Sequence, residues 1–309
     1  MPALAVFPKC YKEAICNGAM TLEDWIDVAA GLDVDGLELY SGFLVRPDAE
    51  RLRALRDRLR KCRLVVPMWC HSPDFTHPDP VRRREAVVLQ REAIALLAAL
   101  DAPPPRTCRV LSGQRWPGVG LEQGLAWARE GIHACLEDAV AHRVVLALEN
   151  HYKDSLWQYP EFAQAPDLFL RLLAELPVAQ VGVQFDPSNA LVAGADPLAL
   201  LEQVRDRVVS VHASDRSLKP GYGPDALRHE DAAPRTGYAD ILQHGAVGAG
   251  ANDYDAIFAT LAARDFDGWV SIEDGMDGMD ELRQSAAFLR AKLATHFGPR
   301  GRSRRTPLA

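Results

Sequence analysis

Along the chain, short apolar runs alternate with longer segments whose apolar residues recur every three or four positions. The runs are "LAVF" (4–7), "GLELY" (36–40), "RLVVPMWCH" (63–71), "TCRVLSG" (107–113), "VVLALENH" (144–151), "VGVQFDP" (181–187), "VVSVHASD" (208–215) and "GWVSIED" (268–274). Their length and β-branched content predict eight strands. The segments between them, 21–32, 48–62, 79–100, 121–143, 165–176, 196–206, 253–265 and 279–297, have helical spacing, so each can bury one face. Start signals support two of these helices: Thr21 stands ahead of Glu23 and Asp24, and Asp196 precedes Pro197 at the first helical position.

The strands read as near-continuous apolar runs, the pattern of parallel strands buried on both faces under helices. Eight strand–helix units in 309 residues close naturally into an α/β fold, a single-domain (β/α)8 TIM barrel spanning 1–298. A doubly wound open sheet would share the alternation, but no GxGxxG follows an early strand. One interval breaks the rhythm. Residues 216–250 separate the seventh strand from its helix by about 35 residues, where about 2–6 is usual. Its glycines, from Gly221 to Gly250, supply hinges, and Tyr222, Arg228, Arg235, Tyr238 and His244 supply polar contacts. It reads as a lid over the barrel mouth, or as an extension that packs a second copy of the chain in a homo-oligomer.

Composition adds limits. The chain is 48% hydrophobic and 25% charged, ordinary for a soluble globular protein, and long enough to bury a core without disulfide or structural-metal staples. Its net charge of −7 argues against a nucleic-acid surface, which needs clustered Lys and Arg. Six cysteines, Cys10, Cys16, Cys62, Cys70, Cys108 and Cys135, show no CxxC spacing and read as reduced thiols of a cytoplasmic protein. The opening "MPALAVFPKCY" lacks the basic start and apolar run of a signal peptide. No stretch approaches the ~18 apolar residues of a membrane helix. The arginine-rich end, 299–309, reads as a solvated, disordered basic tail.

The chemistry gathers at the strand ends. In a (β/α)8 barrel the site lies where the C-terminal ends of the strands converge, and here those ends carry Glu38, His71, Glu149, Asp186, His212 and Glu273. Each has a bland reading: Asp186 before Pro187 can cap the next helix, and His212 in "SVHAS" can be a satisfied core histidine. Glu149 and Glu273 follow apolar runs and are costly to bury without a partner. Glu149, Asp186, His212 and Glu273 end strands five to eight, and three carboxylates with one imidazole suit a single divalent metal ion. So oxygen-rich a set points to Mn²⁺, with Mg²⁺, Co²⁺ or Zn²⁺ able to substitute. A cation also relieves the mutual repulsion of the carboxylates.

The series "GLELY", "CHSPDF", "LALENH", "VGVQFDPSNAL", "VVSVHASDR" and "GAGANDYDAIFATLAARDFDGWVSIEDG" resembles the sugar phosphate isomerase/epimerase family of the xylose isomerase-like TIM barrels, over essentially residues 3–295. The resemblance implies that Glu149, Asp186, His212 and Glu273 hold the metal and that Glu149 and Glu273 exchange protons with the substrate. Two departures matter. Endonuclease IV, a relative of that group, carries a histidine shortly after the strand-six aspartate where this chain has Asn189, so abasic-DNA cleavage is not expected. Many members read His-x-Lys-Asp after strand seven, whereas this chain has His212–Ala213–Ser214–Asp215 and lacks that lysine.

The expected activity is a sugar, sugar phosphate or polyol ketone isomerase or epimerase, moving a proton through a metal-stabilised enediolate between Glu149 and Glu273. Glu38, His71, His151, Asn189 and His244 are expected to line the substrate. Asn150 is expected to point away from the barrel axis. A lyase that dehydrates an inosose, dehydroshikimate or a related substrate is the alternative on the same barrel, with His71 or His244 as acid to the leaving hydroxyl, and C-glycoside cleavage by a partner-requiring barrel is a related lyase possibility. A barrel that binds a sugar without turning it over is the third reading, and it leaves two proton carriers without a task.

Overall fold

The computed structural model describes residues 1–100, 106–227, 237–274 and 276–298. In chain order the strands are β1 (Ala3–Val6), β2 (Gly36–Leu37), β3 (Leu39–Tyr40), β4 (Met68–Cys70), β5 (Arg106–Val110), β6 (Val144–Glu149), β7 (Val181–Phe185), β8 (Val208–Ala213), β9 (Arg216–Leu218), β10 (Leu242–His244) and β11 (Trp269–Ile272). Nine of them form one parallel sheet in the order β2-β1-β11-β8-β7-β6-β5-β4-β3. β2 and β3 are the halves of one predicted strand, interrupted at Glu38. β2 pairs with β1 and β3 with β4, so the two edges of the sheet adjoin and the sheet is a nearly closed TIM barrel.

Helices occupy every predicted segment. Thr21 and Asp24 cap the helix Leu22–Ala30 reciprocally, and Asp196 caps Pro197–Val204. The predicted helix 121–143 is two, Leu121–His133 and Leu136–Ala141. The predicted strand 63–71 shortens to β4, which begins just after Pro67, a residue with no N–H for the ladder. A short helix, Pro187–Val192, follows β7 directly. None of the described helices is long and apolar enough to cross a membrane.

Strand alternation divides the side chains into two sets. Leu4, Val6, Leu146, Leu148, Val181, Val183, Phe185, Val211, Val270 and Ile272 join the helices in one large core. Phe7, Met68, Cys70 and Ala147 form a smaller cluster facing the axis. One irregularity matters for the site. Val183 pairs with Val208 but Gln184 pairs with Ser210, so Val209 is an extra residue, a β-bulge in β8. The bulge lets Val209, Ser210 and His212 all face inward while Val208, Val211 and Ala213 stay in the outer core. Gly182 makes room for it: a Cβ there would lie 2.4 Å from the Val209 side chain.

The long interval 216–250 is rooted in an antiparallel hairpin, β9 with β10, over the end of the barrel where the strands finish. Arg228 and Arg235, and the tail 299–309, lie outside the described residues.

Candidate metal centre

Inward alternation brings Glu149 (the last residue of β6), Asp186 (just past β7), His212 (in β8) and Glu273 (just past β11) to one place. Each offers a ligand atom, all four atoms lie within 4.8 Å of one another, and all four residues are buried. Capping and cluster membership are not alternatives for Asp186. Its Oδ1 accepts from the backbone N–H of Asn189 at 2.9 Å, capping the helix Pro187–Val192, and from the Ser214 hydroxyl at 2.6 Å.

His212 is held from both edges. Its Nδ1 lies 3.0 Å from Glu149 Oε1 and 3.6 Å from Glu273 Oε2, while Nε2 lies 2.9 Å from Glu38 Oε2. The thiol of Cys70 also donates to Glu38 Oε2, at 3.3 Å. Glu38 is fully buried, and its second oxygen, Oε1, has no hydrogen-bond partner. Glu149 faces a second cation: Arg109, in β5, donates to its Oε2 at 2.9 Å and to the Ser72 hydroxyl at 2.8 Å. Lys9, after β1, places Nζ 3.5 Å from Glu273 Oε2.

The electrostatics follow from this crowding. Burial, then the charges of Glu273 and Glu149, push the Asp186 carboxyl up to about 7. Burial also works against charge on Glu149, but His212 and Arg109 outweigh it and hold its pKa below the usual carboxylate range. For His212, burial opposes protonation, yet Glu273, Glu38 and Glu149 together hold the imidazole well above its ordinary value. Near neutral pH, therefore, the cluster ionises every carboxylate only with more positive charge than Arg109, Lys9 and His212 supply. Three carboxylates and an imidazole converging within 4.8 Å, with burial and like charge holding the Asp186 carboxyl up, fit a divalent cation.

The other residues singled out from the sequence fall around this centre. Asn189 Nδ2 is 3.4 Å from Glu149 Oε1. His71 Nδ1 meets the Ser41 hydroxyl at 2.7 Å, and its Nε2 is buried without a partner. His151 stands edge-on to Trp157, its Nδ1 3.6 Å from Glu161 Oε2. His244, in β10, is bonded through Nδ1 to Asp274 Oδ1 at 2.7 Å, next to Glu273. The side chain of Asn150 donates to the backbone carbonyl of Asp186 at 2.7 Å and accepts from its N–H at 2.8 Å. Sequence reasoning missed that clamp, and it missed Arg109 and Lys9. A signal existed for Arg109, a charge in the middle of an apolar strand.

The profile of the family described as xylose isomerase-like TIM barrel matches residues 26–292. No curated protein matches the chain. Among solved structures, a D-tagatose 3-epimerase-like protein superposes with a TM-score of 0.72 at 16% identity, covering 96% of this chain and 98% of that one. The IOLI protein, in a crystal structure with a bound zinc atom, gives 0.71 at 14%, covering 96% and 100%. The probable 3-DHS dehydratase AsbF of Bacillus anthracis gives 0.69 at 18%, covering 94% and 98%. At such identities the likeness carries the fold and no residue's role.

Proposed function

The chain belongs to the xylose isomerase-like TIM barrel family, and from that premise we propose that it is a divalent-metal-dependent isomerase or epimerase of a sugar, sugar phosphate or polyol ketone. The observation that carries the reading is the pairing of two buried glutamates, Glu149 and Glu273, with Asp186 and His212 in one cluster. Glu149, Asp186, His212 and Glu273 would hold a divalent cation, Mn²⁺ by the oxygen-rich set, which would supply Lewis-acid stabilisation for negative charge developing on the substrate's oxygens.

The protein's own groups divide the remaining work. Glu149, its Oε2 held by Arg109 and its Oε1 beside His212, is assigned to take the substrate proton. Glu273, nearer the mouth at 8% exposure, returns a proton to the opposite face or to the neighbouring carbon. Glu38 fixes the orientation of His212 by accepting from Nε2, so that Nδ1 faces the other three ligands. Asn189, His151, His71 and His244 line the substrate's hydroxyls. Burial and Arg109 hold His71 down to about 4, and burial with Lys9 holds His244 down to about 3, so both rings are neutral at pH 7. Neutral rings suit hydrogen bonding to substrate hydroxyls.

The test is solvent-deuterium incorporation. The purified, Mn²⁺-loaded protein is incubated in heavy water with ketoses, inososes and dehydroshikimate. Deuterium at the carbon next to the carbonyl, with an isomeric product, is expected; loss of water from the substrate would replace this reading with a lyase, and no exchange with any of them would remove it.

A further inference from the structure

One buried cation has no task in the chemistry above. Arg216 opens β9, four residues beyond His212, and is 3% exposed. Its Nε has no hydrogen-bond partner, and among the described residues its guanidinium makes no ion pair. Its one aromatic contact is the Tyr152 ring, 4.9 Å away. A guanidinium taken out of water without an anion is costly to keep.

The neighbouring carboxylates are engaged elsewhere. Asp215 accepts from the backbone N–H groups of Arg216, Gly248, Gly250 and Asn252. Asp274 takes His244 on one oxygen and the Asp215 N–H on the other. Glu273 faces Lys9. Placement ties Arg216 to the metal-centre side of the mouth. In the hairpin register Arg216 stands directly opposite His244, so the two side chains leave the hairpin on the same face. His244 reaches Asp274, the residue after Glu273. Lys9 approaches the same point from β1, 22% exposed and near enough for Arg216 to weaken its charged form. The rim beside Glu273 therefore carries two cations, one of them without an ion pair among the described residues and lying over the Tyr152 ring.

We propose that Arg216, with Lys9 beside it, forms a subsite for an oxyanion of the substrate, a carboxylate or a phosphate monoester, on the rim next to Glu273. The inference deepens the isomerase reading and rests on it for the substrate's ketose part: the substrate is an acidic sugar, with its reacting carbons on the ligand cluster and its anion on Arg216. A neutral sugar would leave the buried guanidinium without an ion pair, the Asp274 carboxylate being near but bonded to His244 and to the Asp215 N–H.

The test is titration calorimetry on the full-length, Mn²⁺-loaded protein with two matched pairs, 5-keto-D-gluconate against L-sorbose and D-fructose 6-phosphate against D-fructose. At least one acid is expected to bind about 10-fold or more tightly than its neutral partner, the scale of a charge-assisted hydrogen bond. The pair that shows the preference identifies the anion as carboxylate or phosphate. Arg216→Gln should abolish the preference and Arg216→Lys should retain part of it, while Mn²⁺ affinity stays at the parent value in both. Acids that bind no tighter than their neutral partners, or a preference that survives Arg216→Gln, would overturn the subsite. Charge preference without deuterium exchange would instead remove the proton-transfer reading and leave the subsite standing.

Discussion

At the end of the barrel where the strands begin, Arg264 pairs with Asp206, Arg106 donates to the carbonyl of His142, and Arg207 donates to the carbonyls of Leu173, Leu176 and Val181. At the end where the strands finish, Glu38, Glu149, Asp186 and Glu273 crowd around His212, with Arg109 and Lys9 as the nearby cations. The first end has a cavity of about 640 Å³ lined by Arg205, Asp206, Arg264 and Asp265 among others. Its charges sit half in water and are answered locally. The second end holds its charges out of water with too few partners. The difference teaches that the space a barrel leaves open locates chemistry less well than charge that burial leaves uncompensated, because only the latter represents free energy held ready for a ligand.

The sharpest way to break this comparison is to remove one arginine at each end. Arg109→Leu leaves the buried Glu149 without the guanidinium bonded to its Oε2 and should cost about 3–5 kcal/mol of unfolding free energy, the range for deleting one member of a buried pair. Denaturant titration of the metal-free protein reads this directly. A loss under about 1 kcal/mol would mean that His212 alone satisfies Glu149 and that the two ends do not differ in kind.

Next in size is the loss of proton transfer. Glu149→Gln and Glu273→Gln keep the shape and an oxygen ligand but remove proton acceptance. With Mn²⁺ occupancy confirmed, each should lower product formation by on the order of 10²-fold or more. One of them should still exchange the substrate proton with heavy water while making no product, since abstraction survives when only re-delivery is blocked. Near-parent turnover in either variant would reduce that glutamate to a ligand.

A smaller effect separates ligands from their supports. Asp186→Asn removes the charge of one ligand and His212→Ala removes a ligand atom, and both should weaken Mn²⁺ binding most, by calorimetry or competition. Asn150→Ala removes no ligand but frees the backbone of Asp186, and should weaken binding by about 10-fold, at the lower end of the effect of outer residues. Parent-like affinity for Asn150→Ala would restore it to the bystander that strand alternation alone predicts.

How much of this was legible in the chain depends on whether the cause is local. All eight strands and their helices were, because a parallel strand under helices must be apolar along its whole length, and a carboxylate ending such a run stands out; that is how Glu149, Asp186, His212 and Glu273 were found together. The bulge at Val209 was not, since nothing in "VVSVHASD" distinguishes a strand that slips by one residue against its neighbour from one that does not. Glu38 was assigned to substrate hydroxyls, whereas its nearest partner is His212, 174 positions away and adjacent only once the barrel closes. Strand alternation points Asn150 away from the barrel axis, but its bond to the Asp186 backbone depends on the pairing of β6 with β7. In each case the missing information was register between strands far apart in the chain.

The least effect is expected at the opposite end, and it completes the contrast. Arg264 and Asp206 keep 46% and 62% of their side-chain surfaces exposed, so water solvates both charges whether or not they touch. An exposed pair of this kind contributes about 0.2–1 kcal/mol, because the attraction is screened and two long side chains lose rotamer freedom to hold it. Arg264→Ala should therefore shift the unfolding free energy by no more than about 1 kcal/mol, and less still in 1 M salt, where the screening length falls to about 3 Å. Mn²⁺ affinity and deuterium exchange should equal those of the parent, since the pair sits at the far end of the strands from His212. A change of tenfold or more in either would mean that strain at the strand starts is transmitted along the barrel to the strand ends, and the two ends would then have to be treated as one coupled system.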